Sequence, residues 1–153
     1  MKKRVSLRDL HAHIGQEVEV AGWVHVRRDH GKLIFFDLRD ESALVQTIVS
    51  PQRETAHALA STVRSEWVLA ATGVVKKRPE KMVNRDVLNG DIELEISAIE
   101  VLNEAETPAF DITRDTADID ETARLRYRNL DLRTARLQRN IRARSEFVRC
   151  CRE

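Results

Sequence analysis

At 153 residues with 42% hydrophobic side chains, the chain can build one modest core plus an appendage. A formal net charge of +1 excludes binding of nucleic acid by bulk positive charge, so any such role has to rest on local placement. No apolar run approaches transmembrane length, and Arg8-Asp9 stands where a signal peptide needs an apolar stretch; a soluble, cytoplasmic protein with no membrane partner is expected.

Ser6 to His13 reads as one short helical turn, with Ser6 as its cap, Asp9 at the capping-box position and Gly15 ending it. From Glu17 the period changes to two: Val18, Val20, Gly22, Val24 and Val26 face one way, Glu17, Glu19, Trp23 and His25 the other. A basic turn, Arg27-Arg28-Asp29-His30-Gly31-Lys32, leads to a second strand, Leu33 to Arg39, and a third, Ala43 to Val49. Pro51 opens a helix through Arg64 with Ala56, Leu59, Ala60 and Val63 on one stripe. A fourth strand spans Trp67 to Lys77 and a fifth Asp91 to Leu102, separated by a polar loop from Glu80 to Gly90. Three strands, a helix and two strands is the order of the OB-fold, a five-stranded Greek-key barrel; another small β-barrel is the alternative. Residues 1–104 are therefore expected to be all-β with helices, 105–132 a linker or hinge, and 133–153 a long helix with Leu137, Ile141 and Val148 on one face. That helix reads as the start of a further domain, as though the chain were cut within it. Ten arginines lie between Arg124 and Arg152, opposed only by Asp131, Glu146 and Glu153.

Neighbours in a strand point to opposite faces, so Phe35 and Phe36 cannot share one core. Ile34, Phe36 and Leu38 form an all-apolar set and belong inside; Leu33, Phe35 and Asp37 form the outer set. Phe35 then either stacks an unpaired base beside the basic turn or packs under a loop or helix. Gln46 shares its outer face, and an amide can read a splayed base edge, although a strand glutamine is more often simply solvated. Glu93 could accept from guanine N1 and N2, a weak signal alone since Asp91 and Glu95 flank it, while Arg27, Arg28, Lys76 and Arg78 sit at strand ends where phosphates could be held, solvated loop charges being the alternative for each. The five histidines have no convincing metal spacing, and adjacent Cys150 and Cys151 suggest neither a disulfide framework nor a zinc site.

The segments Gly22-Trp23-Val24, Arg27-Arg28-Asp29-His30-Gly31, Phe35, Asp37-Leu38-Arg39-Asp40 and Val45-Gln46 are more specific together than apart. With Leu102 to Pro108 and Arg124 to Arg133, they resemble the N-terminal domain of bacterial-type, class II aspartyl-tRNA synthetases, collinearly across essentially the whole chain. The resemblance implies an anticodon-binding OB-fold. Phe35 would stack on the anticodon, Gln46 read its central uracil, and Glu93 serve the first, guanine-type position. Arg28, Lys76 and Arg78 would lie near the anticodon-loop backbone. Val26 departs from the family, which commonly has a third arginine there. A histidine at the position of His30 accompanies enzymes that charge both Asp and Asn tRNAs, while Met82 in the facing loop matches neither the relaxed nor the strict type. The implied partner is an aspartate-type tRNA, with the asparagine type as a second. ATP, Mg²⁺ and L-aspartate belong to a longer, homodimeric parent ligase. None of the class II catalytic motifs is present, so no catalytic residue, cofactor or metal ligand is expected in these 153 residues. The rival reading is a free-standing OB-fold binder of single-stranded nucleic acid.

Overall fold

Alternating β-branched and polar residues build five strands: β1 (Glu17–His30), β2 (Leu33–Arg39), β3 (Leu44–Val49), β4 (Val68–Lys77) and β5 (Ile92–Asn103). The computed structural model describes residues 4–153 and divides after Thr107 into two units. In the first, the strands close a barrel in the order β1-β2-β3-β5-β4. All neighbours are antiparallel except β3 and β5, which run parallel. Helix α1 (Glu54–Thr62) follows β3, so the element order is that of the OB-fold.

The inner face is continuous. Phe36, Leu38, Val20, Val24, Leu69, Leu94 and Ile96 meet Leu7 and Leu10 of an N-terminal 3₁₀ helix (Leu7–His13) and Ala56, Ala60 and Val63 at α1. β2 alternates as expected: Phe36 is fully buried and Phe35 only partly. In β3, Val45, Thr47 and Val49 point inward and Gln46 outward. Gly22 lies where β1 crosses close to β2; a Cβ there would sit 2.3 Å from the Arg39 carbonyl oxygen.

The structure corrects three sequence expectations. First, β1 does not end at Val26 but runs through most of the basic segment to His30. The turn is only Gly31-Lys32, with Gly31 at φ +69° supplying the left-handed geometry that a two-residue hairpin needs. Second, a bulge between Val24 and Val26 breaks the alternation. Val26, expected with the inward set, pairs with Asp37 on the outer face. Third, Ser6 does not cap the N-terminal helix with its side chain. The free N–H of Leu7 donates instead to Asp40 Oδ2 (2.9 Å), and that of Arg8 to Ser42 Oγ (3.1 Å), so the cap comes from the β2–β3 loop.

The second unit, Pro108–Glu153, carries α2 (Glu121–Arg126), α3 (Arg128–Asp131) and α4 (Ala135–Arg152). The fully buried Asp131 carboxylate organises it, accepting from Thr116 Oγ1 and Arg128 Nη1, while Thr134 Oγ1 donates to its carbonyl at 2.8 Å. Ile141, Phe147 and Val148 of α4 are exposed. Among the described residues no helix is long and apolar enough to cross a membrane.

The packing predicts opposite outcomes for adjacent phenylalanines. Phe36→Ala should lower unfolding free energy by about 3–5 kcal/mol, whereas Phe35→Ala should stay within about 1 kcal/mol of wild type in the same urea titration.

Candidate nucleic-acid interface

Strand register aligns the outward side chains into rows across the sheet. Val26 pairs with Asp37, Asp37 with Gln46, Gln46 with Glu93, and Glu93 with Lys76, so one row crosses all five strands. The next row runs from Arg28 through Phe35, Ile48 and Glu95 to Val74. Five of the eight residues singled out from sequence (Arg28, Phe35, Gln46, Glu93 and Lys76) thus share two adjacent rows. The bulge in β1 puts Arg28 there; without it, Arg28 would be one residue out of phase and face the core.

The bulge is held by a polar clamp. Arg39 donates twice to the Glu66 carboxylate, at 2.7 and 2.8 Å, and also lies 3.2 Å from His25 Nδ1 and over the Trp23 ring. Glu66, 3% exposed, adopts φ +68°, and its N–H donates to the Val24 carbonyl at 2.7 Å. The segment before β4 thereby grips β1 immediately before the phase changes.

Arg28 Nη2 donates to Asp37 Oδ1 at 2.6 Å and to Gln46 Oε1 at 3.3 Å. His30, at the end of β1, meets Phe35 edge-on, with ring centroids 5.6 Å apart and planes at 74°. Phe35 is thus flanked by an imidazole and, along its row, by a guanidinium. Burial raises the Glu93 carboxyl above its ordinary range; Arg78 and Lys76 counter it, and nearby Glu95 adds to it. Asp37 is raised likewise by burial, against the pull of Arg28, His25 and Arg78. Lys76 is ion-paired with Glu95, and Arg78 Nε lies 3.9 Å from Glu93 Oε2, an ionic contact too long for a hydrogen bond.

Beside these rows is a polar cavity of about 230 Å³, lined among others by Arg28, Asp37, Gln46, Arg78, Asn84 and Asn89. Asn89, 2% exposed, spends its amide hydrogens on the carbonyls of Leu7 and Leu44 at 2.8 and 3.0 Å. It therefore ties the 84–90 loop to the barrel. Met82 ends a 3₁₀ turn (Glu80–Met82), is 61% exposed and does not line the cavity. Of the five histidines, His11 pairs with Asp91 at 2.8 Å, and among the described residues no group of three or more His, Cys, Asp or Glu converges.

The model of the OB-fold nucleic acid binding domain, tRNA anticodon type, matches residues 18–102. The chain belongs to this family. Aspartate–tRNA(Asp/Asn) ligases resemble this anticodon-type OB domain well beyond the barrel. That of Heliobacterium modesticaldum is 49% identical over 92% of the chain and 23% of its own length. That of Syntrophomonas wolfei is 44% identical over 100% of the chain and 26% of its own length. The chain thus spans about a quarter of the curated relatives it matches. Among solved structures, asparaginyl-tRNA synthetase of Pyrococcus horikoshii superposes with TM-score 0.69 at 26% identity, covering 88% of this chain and 30% of that one. Aspartyl-tRNA synthetase of Entamoeba histolytica shares the fold over 99% of this chain and 38% of its own, with TM-score 0.81 at 21% identity.

Sequence reasoning missed several parts of this anticodon-type OB domain: the Arg39–Glu66 clamp, Asn89, and Asp37 as a partner of Gln46 in the outer row. Asp37 and Arg39 lie in a segment singled out for its resemblance, yet alternation alone gives neither a partner. The clamp predicts that Glu66→Ala, which strands Arg39 without its carboxylate, lowers stability by about 3–5 kcal/mol, measured by chemical denaturation.

Proposed function

We propose that the outer rows of the barrel hold the anticodon loop of an aspartate-type tRNA. The observation that carries this reading is the alignment of an outward aromatic, Phe35, with Gln46, Glu93 and the cations Arg28 and Lys76 on one continuous face. In an unpaired loop the bases are splayed, so an aromatic face can stack one while side-chain amides and carboxylates read the exposed edges. Phe35 is the stacking platform, Gln46 reads the central uracil and Glu93 the first, guanine-type base. Arg28, Lys76 and Arg78 attend the loop backbone. Their ion pairs with Asp37, Glu95 and Glu93 keep the free site nearly neutral, consistent with a formal net charge of +1.

The parent protein is proposed to be an aspartate–tRNA ligase, acting as a homodimer, that activates L-aspartate with ATP and Mg²⁺ in the cytoplasm. In this reading residues 105–132 are its hinge and 133–153 lead into its catalytic domain, and no residue of this chain is assigned to ATP or Mg²⁺. Similarity to ligases over nearly the whole chain, including the arginine-rich segment beyond the barrel, favours this over a free-standing single-strand binder.

Titration with an anticodon stem-loop tests the reading. Phe35→Ala and Gln46→Ala should each weaken binding by about 1–3 kcal/mol. Binding should also fall on acidification through the raised Glu93 pKa, because the protonated carboxyl loses acceptor capacity; Glu93→Gln should flatten that part of the profile. Indifference to both substitutions and to the central base would refute it.

We further infer relaxed specificity at the third anticodon base. His30 stands edge-on to Phe35, and the curated relatives carry the name aspartate–tRNA(Asp/Asn) ligase; Met82 argues for neither type. The intact ligase should charge Asp and Asn tRNAs with comparable kcat/KM. A preference of about a hundredfold for the Asp tRNA, roughly 2.7 kcal/mol, would overturn this.

A further inference from the structure

Asp37 lies opposite Gln46 across the β2–β3 pair, and Arg28 touches both. A guanidinium has donors and no acceptor, so the end of the Gln46 amide beside Arg28 has to be its oxygen. The flipped amide would set its NH₂ against guanidinium N–H groups, donor against donor. Asp37, with only 14% of its side chain exposed, anchors Arg28 through the shorter contact, 2.6 Å against 3.3 Å. What remains for a ligand is an ordered edge: oxygen next to Arg28, amino group away from it.

We propose that Asp37, acting through Arg28, is a positioning residue that fixes the orientation of the Gln46 amide and so lets the central base position tell uracil from cytosine. This rests on the anticodon reading above, which makes uracil the matched base. The two bases have the same ring shape and stack alike. They differ in the polarity of one edge: uracil has N3–H and O4 where cytosine has an N3 acceptor and an N4 amino donor. An amide free to flip serves either edge. A fixed amide serves one, because stacking on Phe35 holds the ring in one orientation, and the wrong base then opposes donor to donor and acceptor to acceptor.

The 153-residue chain is titrated with two anticodon stem-loops that differ only by uracil or cytosine at the central position. Wild type should prefer uracil about tenfold or more. Asp37→Ala should cut that ratio to about threefold or less. Arg28→Gln should do the same, since its amide can face either orientation of Gln46; this half-exposed site keeps the test decisive if Asp37→Ala does not fold. Arg28→Lys, still donor-only, and Asp37→Glu should preserve the ratio. Lost phosphate contact weakens both loops equally and cancels in the ratio. A uracil preference that survives both Asp37→Ala and Arg28→Gln overturns the proposal while leaving the anticodon reading intact. A wild type blind to the exchange instead removes the anticodon reading of Gln46, and this inference with it.

Discussion

The bulge in β1 is the constraint on which the rest of the binding face depends. A strand side chain has only two directions, so one extra residue decides whether everything beyond it faces core or solvent. Before the bulge, Val18, Val20 and Val24 line the barrel; after it, Val26 and Arg28 join the outer rows. The same shift turns Arg27 toward the barrel side, where its Nη2 reaches Asp29 and the Ser61 carbonyl. The two adjacent arginines thus have different duties, one at the site and one beneath it. Arg39 and Glu66 hold this geometry from the side, which connects a largely buried ion pair to the placement of the outward cation Arg28.

The face carries its chemistry at a cost to stability. Asp37 and Glu93 both have carboxyl pKa values raised by burial, so the stabilisation from their protonated forms is full below the ordinary carboxylate range and is lost as pH rises through their folded values. Asp40 runs the other way. Burial pushes its pKa up, but hydrogen bonds from Ser42 Oγ and the N–H groups of Leu7, Ala43 and Ser42 outweigh that and hold it low. Its contribution is present above the ordinary value and lost as pH falls through the folded one. Two carboxylates three residues apart therefore differ in kind: Asp37 faces outward beside Arg28 and Gln46, and Asp40 joins the N-terminal helix to the β2–β3 loop.

Alternation made much of this legible in the sequence. It separated Phe35 from Phe36 and Gln46 from its inward neighbours because β2 and β3 are regular strands between closely spaced turns. It failed at Val26, because a bulge leaves no mark in the alternating stretch Val24-His25-Val26, and Glu66, which contacts β1 beside it, lies far along the chain. Alternation places Asp37 on the correct face but gives no partner for it, since its contacts are with Arg28 on one strand and Gln46 on another. The Ser6 cap was a sound local reading that long-range donors and acceptors displaced. Met82 was singled out by resemblance, and it stands well exposed outside the polar cavity.

The pairing of β1 carries one more consequence. Its first half, Glu17 to Trp23, pairs with β4, and its second half, Trp23 to His30, pairs with β2. The second half is therefore one arm of a hairpin, joined by its ladder to β2 alone. Substitutions at its exposed end, Arg28 to His30, reach few core contacts. A substitution at the exposed His30 can therefore alter the end of the hairpin while the barrel beneath stays the same.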